Sequence, residues 1–126
     1  MERTRAEGDL NAWMGHHREF HLAVMPRLGA TLRRTVVSYA ERSERYLRLF
    51  QLWRPNSFTA ALHEHELILE SVASDNPRRS GELMARHLSH TALAVMEDLV
   101  GADGGEVIRL ALDMTTGSGR RDLRLS

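Results

Sequence analysis

Residues 62–88 read "LHEHELILESVASDNPRRSGELMARHL", and the punctuation at their centre decides the fold. Pro77 removes a backbone donor and suits the first position of a helix, and Asn76 before it suits the cap. The segment therefore predicts one helix that stops near Ser74 and a second that starts at Pro77. A break of two or three residues favours antiparallel neighbours. On the first helix, Phe58, Leu62, His65, Leu69 and Val72 recur along one face. On the second, Met84, Leu88, Val95 and Leu99 do the same.

The same punctuation extends outward in both directions. "GDLNAWMGHHREFHLAVM" (8–25) places Asp9 as an N-cap before a stripe of Leu10, Trp13, Phe20 and Val24, and Pro26 ends it. A long helix follows to Trp53, with Leu32, Val36, Tyr39, Tyr46 and Phe50 inward. "RPNS" (54–57) is a stop and restart, with Pro55 ending one helix and Ser57 able to cap the next. "GADGG" (101–105) closes the fourth helix, Glu106 to Met114 adds a turn or two, and the tail from Thr115 is loose. Strand alternation is weak throughout. The expected class is all-α, an antiparallel bundle of four to five helices. It comprises a main unit over 1–102 and a short helix with tail over 103–126.

Composition bounds the function. The chain has 126 residues, 17 basic and 17 acidic, and formal net charge zero, so it is no general electrostatic partner for nucleic acid. All the basic residues are arginine, which suits bidentate contacts to an anionic ligand; a compositional preference that avoids lysine explains it more simply. Cysteine is absent, which rules out disulfides and thiolate metal sites. No apolar run approaches the roughly 18 residues of a membrane span, and "MERTRAEGDL" has no apolar signal segment, so the expected location is the cytoplasm.

All seven histidines fall in three clusters. His17 and His21 stand one turn apart on the apolar face of the first helix, whereas His16 turns toward Glu19. His65 lies in the inward row of the third helix, and His63 groups with Thr59, Glu66 and Glu70 on the polar side. His87 neighbours Leu83, Met84 and Thr91, and His90 is ambiguous. Four histidines on three helices thus face inward: His17, His21, His65 and His87. A single inward imidazole is ordinarily a hydrogen-bonded core residue. Four of them carry eight ring nitrogens to satisfy, and a shared cation would satisfy one per ring. Facing alone leaves both readings open.

"EFHLAV" (19–24), "RSERYLRL" (42–49) and the 62–88 segment resemble the ligand-sensing FCD domain of the FadR branch of GntR-type bacterial transcription regulators. The family run "EH..IL.A...GD...A...M..HL" is matched by Glu64-His65, Ile68-Leu69, Asp75, Met84 and His87-Leu88, and the resemblance covers roughly residues 6–100. It implies a divalent metal, zinc first and nickel or iron as alternatives, inside a helical bundle. His21, His65 and His87 match three family ligands. The family's aspartate falls on His17, in "HREFH" where "DxxFH" is usual. Imidazole can replace it but brings no negative charge, so the site either becomes more positive or leaves His17 out.

The resemblance also implies a small organic acid effector assisted by arginines. Arg42 and Arg45 are the candidates, against the alternative that they are solvated surface arginines, and Tyr39 and Tyr46 are expected to be core residues that lend a hydroxyl to the pocket. The family binds DNA through an N-terminal winged helix-turn-helix, and this chain begins too late to contain it. Exposed apolar surface is then expected to be covered in a homodimer or by exchange of helices. The function so implied is an effector-sensing regulatory domain rather than an enzyme. The competing readings are a small histidine-ligated metalloenzyme and a metal-free helical interaction module.

Overall fold

In the computed structural model the described residues are 9–54, 57–101 and 105–117, with the side chains of 57–59 outside the description. Among them are five helices: α1 (Leu10–Ala23), α2 (Ala30–Trp53), α3 (Ser57–Ala73), α4 (Pro77–Val100) and α5 (Glu106–Thr116). The class is all-α. The chain forms two compact units, Met1–Pro55 and Asn56–Ser126. None of the described helices is long and apolar enough to cross a membrane.

The first unit is a helical hairpin. The Asp9 carboxylate accepts from the Ala12 amide at 2.9 Å and caps α1 as expected. Pro26 follows the helix end at Ala23. The direction of α2 along α1 is fixed by side chains. Arg48 donates to Asn11, while Arg18 reaches Glu41 at 3.8 Å and Glu44 at 3.7 Å. As numbers rise along α1 they fall along α2, so the pair is antiparallel. Trp13 and Met14 on α1, with Phe50 and Gln51 on α2, form the buried part.

This pairing corrects one expectation. Glu41, Glu44 and Arg48 on α2 reach α1, and of the expected apolar row Phe50 is buried and Val36 half-buried whereas the rest turns outward. Tyr39 is two residues from Glu41, and Tyr46 is two residues from both Glu44 and Arg48. At about 100° per residue each tyrosine points roughly 200° away. Leu32, Tyr39 and Tyr46 are accordingly exposed, Tyr39 at 67%.

The second unit holds the 62–88 segment. α3 ends at Ala73, Asp75 adopts a positive φ of 50°, and Asn76 caps α4 by accepting from Arg79 N at 3.0 Å. Pro77 occupies the first turn. Ser71 and Ser80 share a hydrogen bond at 2.6 Å near the turn, and His65 meets His87 farther from it, so α3 and α4 are antiparallel. Their shared face runs His65, Ile68 and Ser71, all buried, with Ile68 only 1% exposed. Burial of that one side chain is worth about 1.5–3 kcal/mol.

Here too the expected row was displaced. Leu69 and Val72 on α3, and Leu88 and Leu99 on α4, are exposed. Ala61, Leu62, Leu67, Ile68 and Leu69 surround α3, so apolar periodicity offers several faces and does not select among them. The two rows share His65, which kept its inward position.

α4 closes at Gly101, whose φ of 84° ends the helix with its amide on Glu97 O. α5 then packs on α4. A Cβ at Gly105 would stand 2.5 Å from Leu93 Cδ2, so the lack of a side chain there permits the close approach. α5 has 11 residues, longer than the turn or two expected, and extends through Thr116 into the segment read as loose. Pro55, the rest of "GADGG" (102–104) and the tail from residue 118 lie outside the described residues.

Candidate metal centre

On α1, a spacing of four puts His17 and His21 one above the other. Their Nε2 atoms lie 3.1 Å apart, and the rings meet edge to face with centroids at 4.5 Å. His17 is held from the other side by Trp13, stacked at 4.8 Å and 18°. Phe20 meets His21 edge-on at 5.4 Å. Both imidazoles are half-buried.

Within the second unit, α3 and α4 bring together a matching pair. His65 Nε2 and His87 Nε2 are 3.1 Å apart, and these residues are 3% and 2% exposed. Two facing imidazole nitrogens attract only if one carries a proton or if a cation accepts both lone pairs. Behind His87 stands Glu64. Its Oε2 accepts from His87 Nδ1 at 2.6 Å, and its Oε1 accepts from His90 Nδ1 at 2.8 Å.

Burial pushes the Glu64 carboxyl up. The hydrogen bonds from His90 and His87, together with the positive charge those rings can carry, outweigh it and hold the group below its ordinary value of 4.5. The carboxylate is therefore ionised and accepts from both rings.

The histidines separate by helix face as expected. His16 and His63 are exposed and pair with neighbours on their own helices, Glu19 at 3.5 Å and Glu66 at 3.7 Å. Such exposed pairs contribute about 0–1 kcal/mol. Sequence reasoning missed the bridge made by Glu64 and left His90 ambiguous. A usable signal was present: Glu64 adjoins His65, and His87 and His90 are three apart, which puts both on one face of α4.

The effector candidates are placed differently. Arg42, Arg45, Tyr39 and Tyr46 are all exposed on α2. Of these four, Arg45 and Tyr46 are joined, with Nη2 donating to the phenol oxygen at 2.8 Å and the guanidinium 4.7 Å over the ring. The tyrosines therefore do not serve as core residues.

His17 and His21 in the first unit, and His65 and His87 in the second, are imidazole pairs whose nitrogens can donate to a metal ion. Their chemistry suits the role. Neutral imidazole nitrogens are good donors to zinc, nickel and iron(II), and poor ones to the oxygen-seeking magnesium and calcium.

The all-α fold is that expected of a helical effector-binding domain of transcription regulators. The family model for the FCD domain matches residues 1–90, and the chain belongs to that family. No curated protein and no solved structure matches the chain.

Proposed function

We propose that this chain is the metal-containing, effector-sensing and dimerising domain of a GntR/FadR-type regulator. His17, His21, His65 and His87 hold one divalent ion, zinc first, with nickel or iron(II) as alternatives. A small organic acid binds at this centre. Contact with DNA belongs to a winged helix-turn-helix module, and the setting is the cytoplasm. The reading rests above all on His65 and His87, two buried imidazoles on neighbouring helices that present the same nitrogen to each other at 3.1 Å.

Burying two such rings is costly unless their polar atoms are used. A metal uses one nitrogen of each, and Glu64 uses the second nitrogen of His87. Membership of the FCD family supports the regulatory side of the proposal, since FCD domains belong to transcription regulators. When bound, the ion supplies a Lewis-acidic centre for an anionic oxygen. Four imidazoles fill a tetrahedral shell, so a carboxylate that reaches the ion requires expansion to five or six ligands. Arg42 and Arg45, with Tyr39 and Tyr46, remain the proposed second contact for the carboxylate, offered from the exposed side of α2.

Titration calorimetry of the metal-loaded protein with a panel of small di- and tricarboxylates tests the function. Saturable binding with the acid recovered unchanged is expected. Conversion of the acid would overturn the sensor reading in favour of a metalloenzyme.

A further inference from the structure

Glu64 occupies an unusual position in the second unit. It sits on α3 beside His65, yet both its oxygens are engaged by α4, one by His87 and the other by His90. The three groups grade from the interior to the surface: the side chain of His87 is 3% exposed, Glu64 28% and His90 60%. An ionised carboxylate has no proton to donate, so the hydrogen in each of these contacts sits on Nδ1 of the imidazole. A neutral His87 protonated at Nδ1 has its lone pair on Nε2, the nitrogen that faces His65 Nε2.

We infer that Glu64 is the positioning residue of the metal centre, locking His87 in the Nδ1–H tautomer so that Nε2 is presented as the ligand, while His90 holds the carboxylate in place from the surface. This rests on the metal-site reading above. Both oxygens are committed to imidazole donors, so Glu64 acts through His87 rather than as a ligand. A carboxylate behind a ligating histidine fixes ring orientation and makes the nitrogen more basic. It also returns negative charge to a centre whose four ligands are all neutral. α3 thus carries, at successive positions, one proposed ligand and the clamp for the ligand on the next helix.

Glu64→Gln keeps the side-chain shape but replaces an obligate acceptor with an amide that can equally donate. Loss of such a partner weakens metal binding by about 10–100-fold. The test has two arms. In metal-free protein, long-range 1H–15N correlation spectra should show His87 as the Nδ1–H tautomer in the wild type and as a mixture in Glu64→Gln. In chelator competition with zinc, Glu64→Gln should bind with unchanged stoichiometry and affinity lowered about 10–100-fold.

His90→Ala, at an exposed position that leaves folding intact, should weaken zinc in the same direction by less. That variant decides the matter if Glu64→Gln does not fold. An Nε2–H tautomer for His87 in the wild type, or equal zinc affinity in wild type and folded Glu64→Gln, would overturn the role of Glu64. Failure of the wild type to bind zinc, nickel or iron(II) would instead overturn the metal reading on which it rests.

Discussion

His65 and His87 face each other at 3.1 Å through equivalent nitrogens, on antiparallel helices whose turn is closed by Asn76 and Pro77. The cap and the pair belong together. The turn sets the register of α3 against α4, and that register brings position 65 level with position 87. Replacing either ring removes a proposed ligand and leaves its partner facing a gap. His65→Ala and His87→Ala are expected to lose the metal, whereas His16→Ala and His63→Ala keep it. Metal content per chain, measured by elemental analysis, reads the difference.

The face by which α3 packs has a separate test. Ile68 is 1% exposed and Leu69 is 49% exposed, although both are large apolar residues one step apart. Ile68→Ala should cost about 2–5 kcal/mol. Leu69→Ala should stay within about 0.5 kcal/mol. Denaturant midpoints of the two variants check the order; equal losses would restore the face that periodicity suggested.

Caps are expected to matter at the two helix starts they serve. Asp9→Ala and Asn76→Ala each remove a side-chain acceptor for an amide of the first turn. Each should lower stability by about 0.5–2 kcal/mol. Asn76→Ala should also lower zinc affinity, because it loosens the turn that aligns His65 with His87. Asp9→Ala tests the same cap chemistry away from that turn.

Acid acts on the centre in two ways. Imidazole ligands must be deprotonated, so zinc affinity should fall on acidification. Glu64 adds a second, lower step. Its folded value is depressed below 4.5, so its contribution to stability is fully present above that value. That contribution is lost as pH falls through the folded value. Metal-free wild type should therefore lose stability in this range more steeply than Glu64→Gln, as read by denaturant titration at a series of pH values.

For the effector, Arg42 and Arg45 give the sharpest prediction. Arg42→Ala and Arg45→Ala should weaken binding of the organic acid while leaving metal content unchanged, since neither side chain belongs to the histidine group. Calorimetry beside elemental analysis separates the two effects.

The sequence was most informative where a residue type has one physical job. Asp9, Asn76 and Pro77 sit where cap chemistry put them, and the histidines divided by face as the 3.6-residue period required. It was least informative on α2 and α3. α2 buries Phe50 and Gln51 and sets Glu41, Glu44 and Arg48 against α1, so only the end of the expected apolar row is used, and Tyr39 and Tyr46 are left outside. α3 is apolar on several sides, and only the partner helix determines that Ile68 rather than Leu69 is buried. The bridge made by Glu64 is not legible in the sequence because it depends on His87 and His90, more than twenty positions away in the chain.

Elemental analysis of the purified chain, after reconstitution with zinc and removal of loosely held ions, tests the central claim most directly. A single divalent ion per chain is expected in the wild type, with its loss from His65→Ala and His87→Ala and its retention in His16→Ala. A wild-type chain that holds no ion, or equal loss from His16→Ala and His65→Ala, would contradict it.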